Sequence, residues 1–557
     1  MGSKLNNGYV GSNELEYVNT RGYSDTSGKG ILSGTKNYLE EEKKQWRHES
    51  DWVRNPKWID IPYIPEGEQK IYALYGIQPN SNIETNTICF RIDGGNWTVD
   101  WGDGTTEVYS STNTAGHTYD FNSIDASTET DEGYRQVLVT ITPDTDITRI
   151  YLNNTLTALG VRGEHQKYIL DFAARLPNVS CSYFSLPTSD SLERVVVYEI
   201  QNSGTMNSTF AGKRGLQHIE FPYDVSNVTS FNSTFTGCVK LKYPPALDTS
   251  SGTDFYRMFY GCTNLRRIPK YDLSNATTIR QMFVGCRELK YLPELNFTSA
   301  CTEARELFSA CDALRECPVL GDTSAIVLPT SFFSNCINLK EIPELDFSSA
   351  TDATNMFNNC TNIEKINKIT FSSALTNLQA MCYGCLRLET AEFVGTSNVT
   401  NFYQSFRQCE NLRGLTIDTS SATNVFQLFY NNYKLKSTPA GLITSNVTNA
   451  SQLFNGATTL EKIENLDLSS VSSSSNMSST FSSMASLRKV SGFTGPSYTH
   501  TWVSTPLEPD SIRNIFNGLP TVVGQTITLT NTSGILSGGV TAGDIAVATG
   551  KGWTVTT

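Results

Sequence analysis

Eight cysteines recur at gaps of 24 or 25 residues through the middle of the chain, and cysteine can bind a metal, form a disulfide or act as a nucleophile. This cysteine row consists of Cys238, Cys262, Cys286, Cys311, Cys336, Cys360, Cys385 and Cys409. A zinc site needs paired ligands in the C-x2-C style, and only Cys382 and Cys385 have that spacing. None of the five histidines is interleaved with the row. Because reduced cysteine is also a small residue that is easily buried, we interpret the row as a structural stack of free thiols, with no metal and no cofactor.

Each cysteine belongs to a longer repeated pattern, M-F-x-G-C-x-x-L-x-x-I-P followed by D-x-S-x-A-T. Twelve units of it are detectable, and a fixed period of this length is typical of stacked structural repeats. Within residues 279–286 the apolar residues fall at i, i+3, i+4 and i+7, which predicts a short helix. Leu289 and Leu292, with a proline after them, predict a short buried strand and a turn. A unit of this size cannot bury its apolar face alone, so the units are expected to stack into a solenoid.

The repeat resembles the BspA-type leucine-rich repeat, in the variant known from Mycoplasma lipoproteins and bacterial surface proteins. The resemblance covers about residues 200–490 and implies a leucine-rich-repeat solenoid (200–495) with a short helix and a short strand in each unit of 24 or 25 residues. It is specific for the fold and weak for function, because such repeats serve as general binding and spacer surfaces.

Residues 66–155 are predicted to form a small β-sandwich, since short runs of strand-forming residues alternate there with turn signals. The predicted strands are 70–77, 87–92, 97–101, 106–109 and 136–141. The run W-T-V-D-W-G-D-G over residues 97–104 resembles the hairpin of PKD-type, immunoglobulin-like domains. Asp100 and Asp103 in this run are weak candidates for calcium ligands, and the alternative is that they only shape the hairpin turn.

Residues 1–65 are polar and irregular, with tryptophans at Trp46, Trp52 and Trp58. One interpretation is a disordered tail. We favour an N-terminal arm that attaches to a partner through these tryptophans, because large aromatic residues are preferred anchors at interfaces.

The order of these segments resembles that of structural proteins of tailed bacteriophages, in which a Y-T-V-D-W-G-D-G module precedes BspA-type repeats. The C-terminal segments 507–520, 525–530 and 545–555 are similar to the closing part of such proteins. The resulting domain prediction is an arm (1–65), a PKD/Ig-like sandwich (66–155), a linker and N-terminal cap (156–199), the solenoid (200–495) and a C-terminal cap (496–557).

The net charge of −12 argues against binding to nucleic acid or to an anionic membrane. The chain has no run of 18 apolar residues and no signal peptide, so membrane insertion and secretion through a signal are not expected. It also lacks the G-x-S-x-G, H-E-x-x-H and Walker motifs, and we therefore do not expect an enzyme.

The resemblance implies a non-enzymatic bacteriophage virion protein, a fibre or decoration protein on the capsid or the tail. Its N-terminal region would bind other virion proteins (capsid, portal or tail), and its solenoid would bind the host surface or a polysaccharide. It would be made in the host cytoplasm and released by lysis, and a homotrimer is one expected state because fibres are often trimers. The main alternative is a bacterial cell-surface adhesin whose export signal is missing, and a third is a polysaccharide depolymerase.

Overall fold

The computed structural model describes residues 52–79, 86–111, 114–152, 168–187, 189–222, 224–503, 505–530 and 539–556. The chain divides into two units, Met1–Val53 and Arg54–Thr557. All strands and helices of the described residues belong to the second unit.

Two sheets make up the N-terminal part of the second unit. One has seven strands in the order β11-β10-β8-β1-β6-β3-β4, and the other has four in the order β5-β2-β7-β9. Their bounds are β1 Lys70–Ile77, β2 Thr87–Asp93, β3 Asn96–Asp100, β4 Thr106–Ser110, β5 Thr114–Thr118, β6 Arg135–Pro143, β7 Arg149–Tyr151, β8 Ile169–Ser180, β9 Phe184–Ser185, β10 Arg194–Gln201 and β11 His218–Glu220. The five predicted strands are all present, with ends shifted by at most two residues.

Strand β1 is buried on both faces. Ile71, Ala73 and Tyr75 lie on one face and belong to the main hydrophobic core, together with Trp97 and Trp101 of the β3–β4 hairpin. Side chains alternate between the two faces of a strand, so the residues between them need a separate cover.

That cover is an irregular segment, residues 54–65, called the strap here. Arg54 Nε donates to Asp171 Oδ2 at 2.8 Å, and the same carboxylate oxygen receives Arg194 at 3.3 Å. At the other end of the strap, the Ile64 carbonyl accepts from the guanidinium of Arg175 at 3.2 Å. The Asp171 side chain is fully buried, so these bonds hold the strap on β8 where water cannot compete.

The seven-stranded sheet continues into the first coils of the repeat. Strand β8 pairs antiparallel with β1 on one side and parallel with β10 on the other, and β10 pairs parallel with β11. The predicted borders at residues 65, 155 and 199 therefore lie within one compact unit, and the predicted linker contributes strands to its sheet.

The repeats form a solenoid in which each coil is hydrogen-bonded to the next through alternate backbone N–H groups. Gln281 N–H donates to the Arg305 carbonyl at 2.9 Å. Two residues later, Phe283 N–H donates to the Leu307 carbonyl at 3.1 Å. Equivalent residues of adjacent coils therefore lie side by side, at the spacing of neighbouring β-strands, about 4.8 Å.

The helix predicted over residues 279–286 is absent, and two consecutive turns take its place. Cys286 N–H bonds back three residues to the Phe283 carbonyl at 3.1 Å, and the third residue of that turn, Gly285, has φ 73°. Gln281, with φ 57°, is the third residue of the preceding turn. A positive φ there is the geometry of a type II turn and cannot continue a right-handed helix. The same pair of left-handed residues recurs in other coils, for example at Ser233 and Gly237, Arg257 and Gly261, and Asn355 and Asn359.

Short parallel strands occur in only some of the described coils. They are β12 Glu341–Ile342, β13 Leu345–Phe347, β14 Lys365–Phe371, β15 Thr390–Val394, β16 Gly414–Thr416, β17 Lys462–Glu464, β18 Phe481–Ser482 and β19 Lys489–Ser491. The unit that contains Leu289 and Leu292 has none, although Leu289 is fully buried as predicted.

Two rows of side chains fill the solenoid. Phenylalanine rings stack from coil to coil, as in the Phe283–Phe308 pair, with centroids 5.7 Å apart and planes at 1°. All eight thiols of the cysteine row are buried and unpaired. Each lies close to a carbonyl of the preceding coil, and Cys286 Sγ is 3.1 Å from the Phe259 oxygen. The thiol therefore acts as a weak hydrogen-bond donor as well as a small apolar residue.

A small cap ends the described chain. It consists of β20 His500–Val503, α1 Pro509–Gly518, β21 Gln525–Thr530, α2 Ala542–Gly550 and β22 Trp553–Thr556. The parallel sheet β18-β20-β21-β22 joins this cap to the last coil, to which β18 belongs. Phe481 and Trp502 stack with centroids 3.6 Å apart. Neither helix of the described residues has the length and apolar character needed to span a membrane.

The left-handed positions predict the effect of glycine substitutions. Ala310 has φ 58°, where several other coils have glycine. We expect Ala310→Gly to raise the free energy of unfolding by up to about 1 kcal/mol, because the gain from relieving left-handed strain exceeds the added entropy of the unfolded chain. Ala313→Gly, at a position without positive φ, is the matched control and should lower thermal stability. Equal losses in thermal melting of both variants would contradict this account of the turns.

Burial of the cysteine row predicts a loss of stability at alkaline pH. Burial raises the pKa of Cys238 and of Cys336 to about 12. In the unfolded chain such thiols lose their protons near pH 8.5. Stability is therefore complete below that pH and falls as the pH rises above it, by about 1.4 kcal/mol per pH unit for each thiol. The double variant Cys238→Ala/Cys336→Ala should show a shallower fall in melting temperature between pH 8.5 and 10.5 than the wild type, and parallel curves would refute the assignment.

Candidate functional site

The side chains of the two calcium candidates, Asp100 and Asp103, both accept hydrogen bonds at the β3–β4 hairpin. Asp103 Oδ2 accepts from His117 Nε2 at 2.7 Å, and Oδ1 accepts from the backbone and the hydroxyl of Thr105. Burial acts to raise the pKa of Asp103, but the hydrogen bonds from Thr105 and His117 outweigh it and hold the pKa below its ordinary value. Asp100 Oδ1 accepts from the Gly102 N–H at 2.9 Å. Among the described residues, no group of three or more acidic, histidine or cysteine side chains is arranged to hold a metal.

The three tryptophans of the predicted arm have different positions. Trp46 lies outside the described residues, and Trp52 is half-buried. Trp58 is only 6% exposed, and its Nε1 donates to the Tyr134 hydroxyl at 3.2 Å. Trp58 therefore helps to hold the strap on the sheet, whereas attachment of the arm to a partner stays a prediction.

One side of the solenoid presents aromatic and arginine side chains in two groups. In most coils, the residues three before and one after the phenylalanine position are half-buried next to the two turns. The first aromatic cluster consists of Tyr256, Arg257, Tyr260, Arg280 and Gln281, and the second of Tyr383, Tyr403, Arg407, Phe426 and Tyr430. Polar residues such as Thr330 and Thr354 occupy the coils between them.

In the second aromatic cluster, aromatic rings form two flat surfaces beside a clamped arginine. Tyr403 and Phe426 stack with centroids 5.0 Å apart at 12°. Arg407 lies over Tyr383 at 5.3 Å and over Tyr430 at 4.9 Å. Its guanidinium is therefore held between rings of the coils before and after its own by cation–π contacts.

Glutamines beside the second aromatic cluster fix its polar groups. Gln427 Oε1 accepts from both Arg407 NH1 and Gln404 Nε2, each at 2.6 Å. Gln427 Nε2 donates in turn to Gln452 Oε1 at 2.6 Å. Since one amide oxygen receives two donors, the arginine and the glutamines restrict one another, and the surface is organised before any ligand binds.

The first aromatic cluster has a related arrangement. Arg257 lies 4.9 Å from the ring centroids of both Tyr256 and Tyr260, and its Nε donates to Gln281 Oε1 at 2.7 Å. Arg280 also lies over Tyr256, at 5.6 Å. The Nε atoms of Arg280 and Arg407 are buried, and the described residues offer neither of them a hydrogen-bond acceptor.

These clusters combine flat apolar surfaces with fixed amide and guanidinium groups. Such a surface can stack on the apolar face of a sugar ring and hydrogen-bond to its hydroxyls. Sequence reasoning did not single out any of these residues. The available signal was the repeat itself, because Tyr403 and Phe426 occupy the same position in consecutive units.

Comparison with known proteins assigns the repeat region. A family model described as "Mycoplasma protein of unknown function, DUF285" matches residues 182–297, 294–393 and 376–491. No curated protein matches the chain.

Two solved structures of leucine-rich repeat proteins are also similar to it. One, from Eubacterium ventriosum, is 15% identical with a TM-score of 0.26, covering 51% of this chain and 82% of its own. The other, from Leptospira interrogans, is 10% identical with a TM-score of 0.22, covering 64% of this chain and 90% of its own.

The repeat region is therefore of the BspA-like, leucine-rich kind, as the sequence pattern predicted. Since the family matches together run from residue 182 to residue 491, which is more than half of the chain, this protein belongs to the DUF285 family.

Proposed function

We propose that this protein is a non-enzymatic attachment protein of a bacteriophage virion, and that its solenoid binds a glycan of the host surface. The observation that carries the glycan-binding role is the second aromatic cluster. There, stacked rings lie beside an arginine and glutamines that are already fixed by mutual bonds.

Rigidity supports binding at this surface. Tyr403 and Phe426 are half-buried on backbone that is hydrogen-bonded to both neighbouring coils, so little conformational freedom remains to be lost on binding. A flat, polar-edged site of this kind suits a sugar ring better than an extended peptide, which would use backbone bonds at a sheet edge.

The two aromatic clusters also suit a polymer. Tyr256 and Tyr383 belong to coils that are five repeats apart, so the clusters are separated by about 24 Å along the solenoid. Two weak sites at a fixed separation bind a repeating chain more tightly than either site alone, because the second contact is intramolecular.

For attachment to the particle, we assign the unit Met1–Val53, with Trp46 and Trp52 as anchors. The strap (residues 54–65) is occupied in covering the seven-stranded sheet. In this proposal the two N-terminal sheets form a PKD/Ig-like module, and this module connects the attachment unit to the solenoid. The shared order of module, repeats and C-terminal cap supports the virion setting.

Truncation of the stacked pair tests the glycan-binding role. We expect Tyr403→Ala/Phe426→Ala to lower the affinity for immobilised bacterial cell-wall and capsular polysaccharides at least tenfold. A nucleic-acid base stacked on an aromatic side chain contributes about 1–3 kcal/mol, and we expect a stacked sugar ring to contribute a similar amount. The matched control is Tyr433→Ala, which removes an exposed tyrosine outside the clusters. Equal binding by both variants, or a wild type that binds none of the polysaccharides, would refute this role.

Deletion tests the attachment unit. A chain of residues 54–557 should melt at the same temperature as the full chain, because the strap is retained, yet it should be missing from purified particles on immunoblots. A chain of residues 66–557 lacks the strap and should melt at a lower temperature. Normal incorporation of the 54–557 chain into particles would show that the attachment site lies elsewhere.

A further inference from the structure

A row of positive charges follows the buried leucine of five consecutive coils. The leucine position of the repeat is apolar throughout, and the residue after it is basic in each of these coils. This basic row consists of Lys242, Arg266, Lys290, Arg315 and Lys340. In the next two coils the same position is acidic, at Glu364 and Glu389.

The basic row is straight because the coils are in register. Arg266 N–H donates to the Lys242 carbonyl at 3.1 Å, and Lys290 N–H donates to the Arg266 carbonyl at 3.4 Å. Further along, Lys340 N–H donates to the Arg315 carbonyl at 3.0 Å. Backbones joined in this way place one positive charge about every 4.8 Å along the solenoid.

Most of these charges face solvent. Arg266, Lys290, Arg315 and Lys340 are exposed, and Lys242 is half-buried. Like charges held at this spacing repel one another, and an anion that lies along the row relieves that repulsion.

The ion pairs of the neighbouring acidic side chains involve cations other than the last three of the basic row. Among the described residues of these coils, ion pairs join Lys270 to Glu294 at 3.6 Å and Arg287 to Asp312 at 3.9 Å. In the coil that follows, Lys365 pairs with Glu341 at 3.6 Å. None of these pairs uses Lys290, Arg315 or Lys340.

We propose that the basic row binds a linear acidic polysaccharide, one that carries a carboxylate at regular intervals along its chain. This inference rests on the proposed glycan-binding role and adds a second surface and a charge requirement to it. The length of one sugar unit is close to the distance between coils, so successive carboxylates meet successive cations. Tyr291, which is 41% exposed and follows Lys290, adds an aromatic ring beside the row.

Nucleic acid fits the basic row less well. Duplex DNA carries one negative charge about every 1.7 Å, nearly three times the density of the row. Glu288, Glu316 and Glu341 are exposed in the same coils, and the whole chain has a net charge of −12. A sparse polyanion tolerates these acidic neighbours, whereas a dense polyphosphate is repelled by them.

Substitution of Glu364 and Glu389, which follow the basic row at the same repeat position, would lengthen the row. Beyond Glu364 and Glu389 the same position is again basic, at Arg413 and Lys436. These two residues and Lys434 line a depression of about 330 Å³. Exchange of the two glutamates for lysine would join the basic row to this depression and give nine consecutive cations.

The test measures binding of the full chain to polygalacturonate, to its fully methyl-esterified form and to an oligothymidylate of similar length, by calorimetry at several salt concentrations. We expect the wild type to bind polygalacturonate, with an affinity that falls linearly in the logarithm of the salt concentration, and not to bind the ester. The triple variant Lys290→Glu/Arg315→Glu/Lys340→Glu should bind at least tenfold more weakly. The double variant Glu364→Lys/Glu389→Lys should bind at least threefold more tightly.

Controls separate this proposal from the aromatic surface and from misfolding. Both charge variants change exposed side chains and should keep the melting temperature of the wild type. The triple variant should keep the wild-type affinity for uncharged polysaccharides, because binding of these is assigned to the aromatic clusters. The proposal is overturned if the wild type does not bind polygalacturonate, if the ester binds equally well, if the triple variant binds like the wild type, or if the oligothymidylate binds more tightly at equal salt.

Discussion

Backbone hydrogen bonding between coils is the constraint on which the rest of the molecule depends. In the turn region of each coil, alternate N–H groups donate to the next coil and the intervening ones close turns within their own coil. This alternation requires a left-handed residue near the end of each turn, and the chain accepts that strain even at residues other than glycine, such as Gln281 and Asn355. Because a single backbone satisfies both sets of bonds, every coil must keep the same path, and the side-chain rows follow from that repetition.

The sequence predicts the periodic part of this arrangement well. The spacing of the cysteines sets the repeat, and the phenylalanine and leucine positions identify the buried rows before any coordinates are known. The backbone conformation within each unit does not follow from the same pattern. Apolar residues at i, i+3, i+4 and i+7 suit a helix, but two successive four-residue turns place the same side chains, Ile279, Met282, Phe283 and Cys286, on one buried side. Only the backbone dihedral angles distinguish the two, and a left-handed Gln281 has no sequence signal of its own.

The parts that sequence reasoning misplaced depend on contacts between distant residues. The strap is held by hydrogen bonds from Arg54 to Asp171 and from Arg175 to Ile64, and each of these bonds joins residues more than a hundred positions apart in the chain. Nothing in the local composition around Arg54 shows that its partner is a buried carboxylate in β8. The aromatic clusters and the basic row are different, because each is a line of residues at one repeat position. Both can be found from the sequence by aligning the repeat units with one another. Because the units stack in register, residues at the same position of successive units form a line on the surface.

The seven-stranded sheet has a mechanical consequence. Its strands belong to both the N-terminal part of the second unit and the first coils, so backbone ladders join the two directly. A tensile load applied to a ligand on the solenoid would pass through the ladders that join β1, β8 and β10. Such ladders resist a pull along the strands because many hydrogen bonds must shear together rather than open one at a time. The seven-stranded sheet is thus suited to carry force between the two ends of the second unit. The contact between Arg54 and the buried Asp171 stabilises the face of the sheet that the strap covers.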